Sequence, residues 1–269
     1  MSDKKIVLYD KNKLKDTHGM VHKTDIQIIN PATGELLFRG RNKVIIPGSV
    51  YTACKHFNIF PSVKLPTYNT ALGLDDIQSL TDSEENASLV CLFCMGIDGC
   101  GPESSQVYDV NYTKWINPDN LIPFRYQISD NDLSDSMREK YFGRKTIAAT
   151  DRIAYYFKAF DMQPTLHMQY IDGTPVDENV FISDNLLDAE TYIELKLSVT
   201  KEDFRDYFIA TTGINDAKVN TISLLTGYPK IVNGYKTYQG VRPLTKLNFP
   251  NESLIDLTKG IDIIYHIYY

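Results

Sequence analysis

The stretch "CLFCMGIDGCG" at residues 91–101 gathers three of the chain's four cysteines and three of its glycines. Thiols so placed could ligate zinc, cycle through a disulfide, or simply fill a core. A structural zinc site takes four ligands, commonly as two C-x₂₋₄-C or H-x₃₋₅-H pairs. Cys91 and Cys94 make one pair and Cys100 offers a third ligand, but no second pair follows. Leu92 and Phe93 between them are poor turn formers. If "SLVCLFCMG" is a strand, its side chains alternate, and Cys91 and Cys94 look to opposite faces. A redox pair would need a helix N-terminus to depress the thiol pKa, and here the pair sits inside an apolar run. Gly96, Gly99 and Gly101 reverse the dinucleotide fingerprint, and Pro102 stands where a helix should open. The stretch is therefore read as a buried strand running into a turn, with its glycines as turn makers.

Other residue types with chemical reach are weaker still. His18 and His22 have helical metal-ligand spacing, but Gly19 and Val21 weaken that helix, and solvent-facing histidines are the expectation. His167 and His266 lie in strand-like runs without an acid or nucleophile at a recognisable spacing. "FGRKT" at 142–146 lacks the earlier glycine and the Gly-Lys junction of a P-loop. Asp172, Asp177 and Glu178 surround Gly173 and could hold calcium, although acidic turns between strands are far commoner. No G-x-S-x-G, H-E-x-x-H or EF-hand pattern is present. The sequence thus nominates no catalytic residue, metal ligand or cofactor, while a site assembled from distant residues stays invisible to spacing.

The elements that would position any site are mostly strands. "ETYIELKLSV" alternates, with Ile193, Leu195, Leu197 and Val199 on one side and Tyr192, Glu194, Lys196 and Ser198 on the other. "RIAYYFKAF" faces Ile153, Tyr155, Phe157 and Ala159 together, and "IDIIYHIYY" aligns Ile261, Ile263, Tyr265, Ile267 and Tyr269. "TDIQIINPATGELLFRG" predicts a hairpin turning at Asn30–Gly34. Helices are few. Thr200 and Asp203 have capping-box spacing ahead of the Phe204, Tyr207, Phe208 stripe, and Gly213 follows the end. "NDLSDSMREKYFG" predicts a helix closing on Gly143, and "GSVYTACKHFNIF" one capped by Ser49. Residues 98–125 are rich in turn formers and carry the sole tryptophan, Trp115, which predicts a long surface excursion. The fold class is α+β and β-dominated: antiparallel, sandwich-like sheets with a few short helices. Two β-rich regions, 1–130 and 131–269, are expected, with the seam also compatible with one domain.

Composition fits a globular chain of 269 residues, 43% apolar and 23% charged. A formal charge of -6 argues against binding a phosphate backbone, so no nucleic-acid partner is expected. No window approaches the ~18–20 apolar residues of a membrane span, and the first residues lack a secretory pattern. A reducing cytosol and free thiols are the resulting expectation. Eighteen tyrosines against one tryptophan suit β-surfaces that meet other proteins.

The order of blocks resembles structural proteins of large tailed bacteriophages. The resemblance lies in "GELLFRGRNKVIIPGSVYTACKHFNI", the "VYDVNYTKWINPDNLIPFRY" excursion, "YFGRKT" with "AYYFKAF", and "TTGINDAKVNTISLLTGY". The closing "PLTKLNFPNESLIDLTKGIDIIYHIYY" is similar to the β-rich end of virion proteins, baseplate wedge components of contractile tails in particular. The resemblance implies a non-enzymatic virion subunit, assembled in the host cytoplasm, present in multiple copies and joined to other tail proteins. A neck or head–tail connector position is the alternative, and a sugar-binding tail module or small hydrolase comes after it. It implies no cofactor and no membrane. Tyr112, Trp115 and Phe124 in the long loop are the expected contact anchors, because aromatic anchors dominate interface energetics.

Overall fold

The computed structural model describes residues 23–40, 43–44, 48, 67–76, 80–101, 106–110, 120–170, 173–175, 189–253 and 260–268. Among the described residues, twelve strands fall in two sheets, and every pairing is antiparallel. The first sheet contains β1 (Lys23–Ile29), β2 (Leu36–Gly40), β8 (Thr165–Tyr170), β9 (Ala189–Val199) and β12 (Ile261–Tyr268), in the order β2-β1-β12-β9-β8. The second holds β3 (Lys43–Val44), β4 (Leu89–Gly96), β5 (Arg125–Ile128) and β6 (Tyr141–Ile147). With them are β7 (Arg152–Ala159), β10 (Lys218–Val232) and β11 (Tyr235–Ser253), ordered β3-β11-β10-β4-β7-β5, and β6 also pairs with β7.

Strands β9 and β12 alternate as their patterns require, whereas β7 does not: Ile153 and Tyr155 pack with Phe93, but Phe157 and Ala159 pack with Leu92 on the other side, correcting the expectation that the four face together. Leu195, Leu197 and Val199 of β9 and Ile261, Ile263, Tyr265 and Ile267 of β12 point inward, each almost wholly buried. They meet Phe93 and Met95 of β4, Ile222 and Leu224 of β10, and Leu247 and Phe249 of β11 in one core. Each such side chain contributes about 1.5–3 kcal/mol on burial. The other face of the second sheet is also covered. Leu92, Cys94, Phe157, Leu225 and Val241 pack there against Tyr68 and Leu72 of the short helix α1 (Tyr68–Leu72). A sheet buried on both sides needs apolar residues at consecutive positions, which is why β4 reads as a continuous apolar run.

Helix α2 (Asp82–Asn86) leads into β4, and α3 (Asp135–Arg138) leads into β6. The longest helix among the described residues, α4 (Lys201–Thr211), is capped by Thr200 and lays Phe204 and Phe208 on the first core. The hairpin at Asn30–Gly34 forms as expected, with the Asn30 carbonyl accepting from the Gly34 N–H at 2.8 Å.

Two further expectations are corrected. The helix predicted over 131–143 is a single turn, and Tyr141 already belongs to β6. Tyr141 packs into the first core and Phe142 into the second, an arrangement a strand permits and a helical stripe does not. Gly143 is therefore no helix cap. It sits within β6 at φ +70, where a Cβ would stand 2.6 Å from the Phe157 ring. Nor does a seam near residue 130 divide the sheets. β1 and β2 join β12, and β4 lies between β10 and β7, so both sheets draw strands from both sides of it. The helix expected after Ser49 lies outside the described residues.

Candidate functional site

The long excursion leaves β4 at Gly96 and returns beside it, through a Gly96–Leu121 bridge and the Ile122 N–H donating to the Met95 carbonyl at 3.1 Å. Its first limb is pinned to β10 and β11 by asparagines. Asn220 Oδ1 accepts from the Gly99 N–H at 2.7 Å, and the Asn248 and Asn251 amides donate to the carbonyls of Tyr108 and Gly101. A Cβ at Gly99 would stand 2.3 Å from the Asn220 carbonyl oxygen, so this glycine serves close approach. Tyr112 and Trp115 lie outside the described residues. Phe124, expected as a contact anchor, is instead fully buried, edge-on to Phe93 and stacked on Phe204 with centroids 4.9 Å apart. It follows the loop's return into the core, where β5 begins, and its ring has no surface left for a partner.

The cysteine stretch is a strand, but its alternation breaks. Leu92 pairs with Leu225 and Val90 with Thr226, which leaves Cys91 as a bulged residue. The bulge turns Cys91 toward the cluster that contains Cys94, correcting the expectation that the two look to opposite faces. No group of three or more His, Cys, Asp or Glu converges among the described residues. His18, His22 and the acidic side chains around Gly173 lie outside those residues.

Sequence distance hid three polar constellations. In the first, Asp203 is wholly buried. It accepts from Tyr141 Oη at 2.5 Å, Lys158 Nζ at 3.2 Å and the Thr200 N–H at 2.7 Å. Lys158 also donates to the Ser198 carbonyl at 2.6 Å, and Arg125 donates to Tyr141 Oη. Burial, then the Asp203 charge, pushes the Tyr141 phenol well above its ordinary pKa. Capping spacing predicted the Thr200–Asp203 contact, but nothing local predicted the lysine or the tyrosine.

The second lies on the outer face of the first sheet. His266 Nε2 stands 3.0 Å from Glu194 Oε2, its cross-strand neighbour, and Asp25 is its opposite on β1. Tyr192 packs between the His266 and His167 rings. His266 acquires an acid through pairing of β12 with β9, which spacing within either strand does not show.

The third surrounds a cleft of about 240 Å³ under the β10–β11 hairpin. Asp75, Asp76, Arg138, Arg144, Tyr141, Tyr155, Tyr235 and Thr237 are among its lining residues. Arg144 bridges Asp75 at 2.5 Å and Asp132 at 3.3 Å, and Arg138 holds Asp132 at 2.5 Å. Tyr155 Oη donates to the other Asp132 oxygen at 2.7 Å. Burial alone would raise the Asp132 pKa; the Tyr155 and Leu133 hydrogen bonds and both guanidiniums outweigh it and hold the carboxyl below its usual range. Burial dominates at Asp76, whose pKa is raised, although Thr237 Oγ1 donates to its Oδ2. Asp76 Oδ1 is shielded from water and takes no hydrogen bond from another side chain among the described residues.

The hairpin over this cleft is an arm. β4 accompanies β10 only as far as Gly227. Five further pairs, from Tyr228–Gln239 to Val232–Tyr235, have no other strand partner among the described residues. Asn233 and Gly234 close it with positive φ at both positions, as a two-residue hairpin turn requires. The arm's inner face is tied down by Lys230 to Glu84, Thr237 to Asp76 and Tyr235 to the Arg138 guanidinium. Its outer face presents Ile231, 66% exposed.

Comparison with protein families, curated proteins and solved structures finds no match to this chain. No helix among the described residues is long and apolar enough to cross a membrane.

Proposed function

We propose that the chain is a non-enzymatic structural subunit of a tailed-phage virion, a baseplate wedge component that joins neighbouring tail proteins. The β10–β11 arm carries this reading. It is a two-stranded arm, tied down on its inner face, that exposes an aliphatic side chain on its outer face. A tail subunit must keep its neighbours in one geometry under load. Continuous backbone hydrogen bonding along an arm does this with little conformational freedom left to lose on docking. The buried Asp203–Lys158 pair, with Lys158 also donating to the Ser198 carbonyl, fixes α4 against both sheets. The block order described from the sequence supports the virion assignment, and the net charge of -6 suits a subunit that stays dissolved until it meets its partners.

The test is Ile231→Asp. An exposed substitution of this kind leaves monomer stability within about 0.5 kcal/mol. It is expected to abolish incorporation of the chain into particles while the purified monomer stays folded. Particles that form normally with Ile231→Asp would remove the arm from the assembly surface.

A further inference from the structure

The buried node around Asp203 has the parts of a reaction centre. We propose that Lys158 and Asp203 condense into an intramolecular amide, an isopeptide bond that ties β7 to the first turn of α4. Nucleophile and electrophile are already in contact. Lys158 Nζ lies 3.2 Å from Asp203 Oδ2, and its second hydrogen bond, to the Ser198 carbonyl at 2.6 Å, fixes its position. The Asp203 side chain is wholly buried and that of Lys158 is 4% exposed. Holding the two groups together replaces an encounter in solution, an advantage that reaches effective molarities on the order of 10⁵–10⁸ M where the attack geometry is met. Burying two ions is costly, and condensation turns them into one neutral amide. The same burial withholds the water that the reverse step needs.

The step balances without a co-reactant. One proton passes from Nζ to Oδ2 along their hydrogen bond, which leaves an amine facing a carboxylic acid. Nζ then attacks Cγ, and negative charge gathers on Oδ1. Tyr141 Oη stands 2.5 Å from that oxygen, Arg125 donates to the same hydroxyl at 3.2 Å, and Arg125 Nε lies 4.0 Å from Oδ1. The oxyanion therefore forms against donors already in place. Burial and the neighbouring charge keep the Tyr141 phenol protonated, as this role requires. Asp161 takes the second ammonium proton: its Oδ1 is 3.7 Å from Nζ, and its Oδ2 is held by the Ser198 N–H at 2.9 Å. That proton is returned to Oδ2, the Cγ–Oδ2 bond breaks, and one water leaves. The third ammonium proton stays on the amide nitrogen. The Thr200 N–H gives up Oδ2 as its acceptor, but Thr200 is only half-buried, so water can take that place. The bond joins residues 45 apart in sequence, which restricts how far β7 and α4 can separate under load.

The experiment is intact-mass spectrometry of the purified full chain, followed by tryptic mapping. The chain is expected to weigh one water less than its sequence. The peptide Glu202–Arg205 is expected to be recovered joined, through Asp203, to the peptide that carries Lys158. Lys158→Met is expected at the full sequence mass. Asp161→Asn removes the base but keeps an acceptor for the Ser198 N–H, at a side chain 31% exposed, so the fold is retained. Its joined fraction, followed from the first hour after purification, is expected to accumulate about a hundredfold more slowly. A native chain that stays at its sequence mass on prolonged incubation overturns the proposal. So does a water deficit that survives in Lys158→Met, or an unchanged rate in Asp161→Asn. If Lys158→Met does not fold, the peptide map of the native chain decides alone. The mass is read on the isolated chain whether or not particles form, so failure here and failure of the virion reading are distinguishable.

Discussion

Asp203 joins α4 to β6, β7 and the end of β9 through one carboxylate, and its partners were chosen by the fold rather than by sequence proximity. Tyr141 and Lys158 lie 62 and 45 residues away from it. Removing the carboxylate leaves the buried Lys158 ammonium with only the Ser198 carbonyl and Asp161 at 3.7 Å, so Asp203→Ala is expected to cost about 3 kcal/mol in denaturant unfolding, the low end for a broken buried pair. A loss below ~1 kcal/mol would show the node to be incidental. Asp132 makes a pH prediction. Its folded pKa lies below the unfolded value, so its stabilisation is complete above about pH 4 and is lost as pH falls through the folded pKa. Asp132→Asn should flatten that acid limb of the stability profile; an unchanged limb contradicts the assignment. Residue-scale reading of the sequence located Thr200–Asp203, because a cap is local. It misplaced Phe124, because a residue just past a loop looks like a loop residue until its strand is known.

At the scale of elements, the regular strands were legible wherever one face is buried and the other is not, as in β9 and β12. β6 was misread because both of its faces are buried near Tyr141 and Phe142, which erases the period-two signal, and the glycine at 143 imitates a helix stop. Strand order was not legible at all. β12 lies between β1 and β9 in the middle of its sheet, and its Tyr265 and Ile267 are core residues. Deleting Tyr265–Tyr269 would remove about half of the ladder β12 makes with β1 on one side and of the ladder it makes with β9 on the other. The truncated chain is expected in the insoluble fraction, and a soluble, cooperatively folding product would make this strand peripheral. The bulge at Cys91 teaches the same lesson: alternation along a strand holds only while the partner keeps register.

For the whole molecule, two antiparallel sheets share one core, and the second sheet carries a further apolar layer on its outer face. Charge, composition and strand-rich patterning announced this class, but the interleaving of chain segments across both sheets did not show, since pairing partners are set by packing over long sequence distances. The architecture sets a two-stranded arm on a body of two sheets: the arm's inner face closes a polar cleft, and its outer face leaves Ile231 exposed. The most direct test is electron cryomicroscopy of intact phage particles, with copy number from quantitative mass spectrometry. The account predicts this chain in symmetric multiples about the tail axis, with Ile231 seated against an adjacent subunit. Particles that lack the chain, while it persists as a free monomer in infected cells, would contradict it.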